Sequence, residues 1–244
     1  MELIEPIPWE NFLPHWFQPV MLHAIFVWLV LIVISWLAIR RISLQPSGMQ
    51  NFMEWYIGFV QKYSKEMIGK AHRKYDPLFM SIFFFIFAGN LWGLVPGMVS
   101  PTANLYTNLS MALVVFFATH YWGVREQGFG RYLMHFCGEV PGWLKPFMFL
   151  IELISHIARP ISLTFRLFGN IIAKEILILI LVTLIFQFAG GPSFIGKALT
   201  AFPVVLYPFI IVLGSFICFI QAFVFMLLAQ VYVAGAVQSH SAEH

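Results

Sequence analysis

The chain has 244 residues, of which 60% are hydrophobic and only 10% charged, with a formal net charge of +3. A soluble domain is about 45–50% apolar and about 25% charged, so these few charges cannot coat a water-soluble globule, and the hydrophobicity excludes a disordered chain. The two cysteines, Cys137 and Cys218, stand far apart and outside any CxxC spacing, which excludes a disulfide scaffold. What is left is an all-α polytopic membrane protein, read as a single integral domain over residues 1–244 with about five membrane helices and one interfacial helix.

The first six residues carry two acids and no base, so the apolar run that follows reads as a retained span and not as a cleaved signal. That run covers residues 20–39 and closes on Arg40-Arg41. No Lys or Arg precedes it, so the positive-inside rule places the N-terminus outside and Arg40 inside. Residues 47–71 read differently. Phe52, Trp55, Tyr56, Phe59, Val60, Tyr63 and Met67 follow helical spacing, while Lys62, Lys65, Glu66 and Lys70 take other faces. This is the pattern of an amphipathic helix lying on the cytoplasmic surface. Two further spans, 78–98 and 105–124, are joined by an uncharged loop, and Arg125, Arg131 and Lys145 mark the return to the inside.

The last hundred residues hold two overlong apolar stretches, 146–188 and 198–237, separated by Gly190-Gly191-Pro192. As helix the first would be about 65 Å long, against a hydrocarbon core of about 30 Å. Each stretch either hides a hairpin or crosses at a steep tilt. Pro160, Gly169-Asn170, Pro208 and Gly214 stand isolated among apolar residues and not in polar turn clusters. That favours two long, tilted, antiparallel helices.

The first of these stretches carries Glu152, His156, Arg159, Arg166, Asn170 and Lys174, with Glu175 beyond. At about 100° per residue, all but Glu175 fall within about 40° either side of Glu152. Charges at membrane depth are costly and usually functional, a central arginine costing about 2.5–3.5 kcal/mol on insertion scales. Keeping the stripe requires water or an acid from another protein, because the chain's one aspartate is Asp76, in a loop. Two structural readings stand beside this one. Arg159 and Lys174 could snorkel to headgroups, and Glu152 could clasp His156 or Arg159 at i+4 or i+7. Neither accounts for Arg166, which lies far from both ends.

Residues 160–170 read Pro-Ile-Ser-Leu-Thr-Phe-Arg-Leu-Phe-Gly-Asn and are followed by Glu175. Gln221-Ala222-Phe223-Val224-Phe225 lies on the last stretch, with Asn90-Leu91-Trp92-Gly93-Leu94-Val95-Pro96 and Asn108-Leu109-Ser110-Met111-Ala112-Leu113 on the middle spans. Together these resemble subunit a of rotary F-type ATP synthases over almost the whole chain. The resemblance implies a stator wall packed against a c-ring whose subunits carry embedded carboxylates, with two offset half-channels for protons or, in some relatives, sodium ions. It also implies peripheral stalk b subunits and membrane lipid as neighbours, in a bacterial plasma (inner) membrane ahead of a thylakoid or other energy-transducing membrane. It puts Arg166 at the family's essential arginine, where it would favour the ionised ring carboxylate and separate the half-channels. Asn170, Glu175 and Gln221 match ion-path positions, and Glu152 matches an acid of the cytoplasmic-side channel. Gly214 stands where some relatives have a histidine, Lys174 where some have a small residue, and Gly93 where some have aspartate. Candidate relay residues in their place are His156, His120 and Lys174, although a lone membrane histidine is otherwise a packing residue.

A haem-binding redox bundle would want paired histidines, whereas His23, His120 and His156 occur singly and no Cys-x-x-Cys-His is present. A secondary transporter commonly shows repeated halves, and these halves look unlike each other. With no phosphate loop and no nucleophile elbow, the chain reads as non-catalytic on its own. It calls for no cofactor and no nucleic-acid partner.

Overall fold

The computed structural model describes residues 19–40, 43, 48–95, 98–135, 141–189 and 194–237. The six N-terminal residues, Cys137 and the expected turn at Gly190-Gly191-Pro192 lie outside the described residues. Among the described residues all regular structure is helical: α1 (Pro19–Ile39), α2 (Met49–Ile68), α3 (Asp76–Trp92), α4 (Leu105–Gln127), α5 (Phe129–His135), α6 (Lys145–Ala189) and α7 (Phe194–Val237), with 3₁₀ turns at His72–Lys74 and Pro101–Ala103.

α6 and α7 are continuous over 45 and 44 residues, which removes the hairpin alternative. Pro160 sits inside α6, and Pro203 and Pro208 sit inside α7, without ending either helix. At 1.5 Å per residue each is about 65–70 Å long. They pack antiparallel: Arg159 meets Tyr232, Asn170 meets Gln221 and Lys174 meets Cys218, so one sequence rises as the other falls. Among the described residues, three segments are long and apolar enough to cross a membrane, namely residues 20–39, α6, and residues 200–237 of α7.

α7 is the hub, in contact with α2, α3, α4 and α6. Its buried stripe of Ala222, Phe225, Met226, Ala229 and Val233 recurs every three or four residues, and the two alanines allow close helix approach. Phe59, Phe83, Phe87, Phe219 and Phe223 form an aromatic seam linking α2 and α3 to it, with ring centroids about 5.6–6.2 Å apart. The expected apolar face of α2 is thereby divided. Tyr56 and Val60 enter the core, whereas Phe52, Trp55 and Met67 are exposed.

The expected span 78–98 stops short, because α3 ends at Trp92. The reason is a complete set of partners for its last four carbonyls, which have none within the helix. Gly89 O accepts from Ser100 Oγ at 2.9 Å, and Asn90 O from Lys174 Nζ at 3.0 Å. Leu91 O accepts from the Leu94 amide at 3.0 Å, and Trp92 O from the Val95 amide at 3.2 Å. Gly93 makes the return possible. A Cβ there would lie 2.6 Å from Ser100 Cβ and 3.2 Å from its backbone. Ser100, Thr102, Asn90 and Asn108 are joined by hydrogen bonds into a buried polar knot at this end of the bundle.

Candidate functional site

The stripe read from sequence resolves into three places along α6. Arg166 lies in the middle and is exposed, together with Ser162, Phe165, Gly169 and Asn170 on neighbouring turns. Among the described residues no hydrogen bond or ion pair reaches its guanidinium. One turn further on, Asn170 Nδ2 donates to Gln221 Oε1 at 2.8 Å, and Gln221 is buried on α7. Arg166 and Asn170 therefore share an outward surface, and Gln221 anchors Asn170 from behind.

The second place is the Lys174 end, about 12 Å along the helix from Arg166. Lys174 is buried, its ammonium on Asn90 O and 3.6 Å from Cys218 Sγ. Its stem runs beside Gly214, where a Cβ would lie 3.6 Å from Lys174 Cδ and 3.0 Å from Leu94 Cδ2. Leu94 and the lysine stem fill the volume that a larger residue at 214 would need. Glu175 turns to the other side, toward the Ser100 backbone, and its Oε1 is buried with no hydrogen-bond partner among the described residues.

The third place is the Glu152 end, about 21 Å from Arg166 in the other direction. Glu152 Oε1 is 3.2 Å from His156 Nε2 and 3.4 Å from Arg159, so the clasp anticipated from the i+4 and i+7 spacing forms with both partners. Arg159 is not extended to a helix end. Its guanidinium stacks over the Tyr232 ring of α7 at 5.1 Å, as a planar cation does on an aromatic face. His120 of α4 stands with its ring centroid 5.3 Å from that of His156.

Several participants escaped the sequence reading. Asn90, Ser100, Thr102, Tyr232 and Tyr132 join these clusters although none stood out as a site residue. A buried amide such as Asn90 within an apolar run was the available signal; the two tyrosines gave none. Chemically, the helix pair offers a fixed, unneutralised cation on an exposed face, with a cluster of exchangeable protons or polar carbonyls on each side of it.

Fold and site together define a polytopic helical membrane protein built around a charged antiparallel helix pair. Residues 21–234 match the profile of the ATP synthase A chain family. Similar proteins include ATP synthase subunit a of Solidesulfovibrio magneticus, 47% identical over 67% of this chain and 68% of that one. Subunit a of Aquifex aeolicus is 44% identical over 80% and 86% of the two chains, and that of Campylobacter concisus 39% identical over 91% of each. The chain belongs to the subunit a family of F-type ATP synthases. It is accordingly a membrane-embedded, ion-translocating component of the ATP synthase complex.

Proposed function

We propose that this chain is the stator half of the rotary ion path, non-catalytic by itself, facing a c-ring in a bacterial plasma membrane and held by peripheral stalk b subunits. The observation that carries the reading is Arg166, an exposed guanidinium in mid-helix with no counter-ion among the described residues. A bare charge at that depth is costly unless an acid is supplied from outside the chain. An embedded ring carboxylate is such an acid. As it passes, Arg166 favours its ionised form, and its permanent charge repels any proton moving straight from one side to the other. Asn170, held by Gln221, lines the same surface. Glu175 and the Lys174 cluster belong to the path on the outer side, and Glu152 to the path on the cytoplasmic side. The topology follows the basic residues: N-terminus outside, α2 at the cytoplasmic interface, and α6 and α7 tilted, since an upright helix needs only about 20 residues.

The test is Arg166→Ala in the assembled complex. Proton-driven ATP synthesis is expected to vanish while the subunit still co-purifies with the c-ring; synthesis at the normal rate would overturn the mechanism. Proximity is checked by cross-linking to the ring. Cys218 is buried, so an engineered cysteine at exposed Phe165 or Ile220 serves as the probe.

A further inference from the structure

Gly69 ends α2 with φ at 84°, a left-handed conformation that glycine adopts without strain, and its amide donates to Lys65 O at 3.0 Å. The chain reverses there and runs into the 3₁₀ turn His72–Lys74. Residues of that turn thereby join the last turns of α2, and Gln61, Lys62, Lys65, Lys70, His72 and Arg73 line one groove of about 470 Å³. Four of these six side chains are positively charged near neutral pH and none is an acid. Lys62, Lys65, Lys70 and Arg73 are exposed, whereas His72 is buried. Asp76, buried at the start of α3, holds His72 Nδ1 at 2.8 Å and so fixes the ring in the groove wall. Three ammonium groups, one planar guanidinium and an oriented imidazole are donors matched to the oxygens of a phosphate.

We propose that this groove is a binding site for the phosphate of an anionic phospholipid, drawn from the leaflet against which α2 lies. The site stands apart from the ion path, since none of its six residues lies on α6 or α7, and it holds whether or not the stator reading does. What adjoins the groove favours a lipid headgroup over a phosphate from water. Trp55 precedes Lys62 by seven residues, two turns along the same face of α2. It is 62% exposed, and Phe52 is exposed beside it. The rings of Phe52, Trp55 and Phe59 follow one another with centroids 6.4 and 5.8 Å apart. Exposed aromatic rings next to lysines are the make-up of a segment at headgroup level, with rings toward the acyl chains and ammonium groups toward the phosphates. Lys62 belongs to both parts, lining the groove with its Nζ 5.9 Å from the centroid of the Tyr63 ring. Glu66, the acid that follows Lys65, is exposed and is not among the lining residues.

The experiment uses the whole ATP synthase in phosphatidylcholine nanodiscs carrying a trace of photoactivatable phosphatidylglycerol, with the labelled peptides mapped by mass spectrometry. In wild type the probe is expected to label the segment from Gln61 to Arg73, and unlabelled phosphatidylglycerol should compete it away where added phosphatidylcholine does not. Each basic residue beside an anionic lipid contributes about five-fold in binding, so the triple variant Lys65→Gln, Lys70→Gln, Arg73→Gln should lose labelling on the order of 100-fold. Lys65→Arg keeps the charge and should label as wild type does. If the triple variant does not assemble, Lys62→Gln alone decides, with a loss of about five-fold. Arg125→Gln removes an exposed cation at the end of α4, outside the groove, and should leave labelling unchanged. Equal losses in Arg125→Gln and Arg73→Gln would mean diffuse attraction to the membrane surface and would overturn the site. So would undiminished labelling in the triple variant, no labelling of this segment in wild type, or equal labelling by a phosphatidylcholine probe. Displacement of the probe by millimolar inorganic phosphate would assign the groove to a soluble anion, and the lipid proposal would fail.

Discussion

Arg166 and Lys174 are two cations about two turns apart on one helix, and the bundle treats them in opposite ways. Arg166 points outward and has no partner among the described residues. Lys174 points inward, is buried, and closes the C-terminal end of α3 by donating to the Asn90 carbonyl. A cation at a helix C-terminus is favoured by the carbonyl dipoles collected there. Lys174 is therefore held by hydrogen bonds within the chain, whereas Arg166 meets no partner among the described residues. Helical phase alone put both on one stripe; what separates them is which neighbouring helix each one meets.

The contrast breaks most sharply if the outward cation is made into the inward kind. Arg166→Lys retains a positive charge in water, but an ammonium at membrane depth can shed its proton where guanidinium cannot. Coupled synthesis is expected to fall by about 100-fold or more, the range seen when a placed electrostatic group is lost. A synthesis assay on reconstituted complex checks it, and normal coupling in the lysine variant would mean that charge alone is enough. The reciprocal change is structural. Lys174→Met leaves the Asn90 carbonyl uncapped, at a cost of roughly 1–3 kcal/mol. It should appear as a lower Tm in detergent, with a smaller effect on coupling than Arg166→Lys. Gly93→Ala attacks the same end from the other side, since its Cβ would overlap Ser100. Overpacking of that kind costs about 1–3 kcal/mol, and the Tm should fall by a similar amount.

The long helices and their stripe were legible in the sequence because length, apolarity and 3.6-residue phase are local properties. Arg166 was legible for the same reason, as a charge far from any terminus. The early end of α3 was not, because it depends on Ser100 and Lys174, eight and 82 residues beyond Trp92, meeting its last carbonyls. The split face of α2 was hidden likewise: Tyr56 and Trp55 look alike as aromatic residues, and only the position of α7 decides which one is buried. The His120–His156 pair joins helices that no spacing rule connects, so the two histidines read as separate relay or packing candidates and not as neighbours.

Asn170 and Gln221 occupy the ground between the two cations, one exposed and one buried. Gln221→Leu keeps the bulk on α7 but removes the acceptor 2.8 Å from Asn170 Nδ2. Asn170 then turns freely on the surface shared with Arg166. A few-fold loss of rate is expected, about 0.5–1.5 kcal/mol for one hydrogen bond, with assembly intact. An unchanged rate and pH–rate profile would remove this pair from the ion path.

The smallest effect belongs to a cation that is exposed like Arg166 but partnered like Lys174. Lys74, in the 3₁₀ turn before α3, bonds to Glu126 at the end of α4, outside the apolar spans. The Lys74 ammonium, through that hydrogen bond first, holds the Glu126 carboxyl below its ordinary 4.5. A carboxyl with a depressed folded-state pKa stabilises the fold above its unfolded value, and the gain is lost as the pH falls through the folded value. Wild type should therefore exceed Glu126→Gln in Tm at neutral pH by a small margin that salt reduces, and the two should converge as the pH falls through the depressed folded value. A difference that persisted in acid or in high salt would show that Glu126 acts through packing. Convergence would show that the gain comes from the ionised Glu126 carboxylate and its pairing with Lys74, the kind of partner that Arg166 lacks among the described residues.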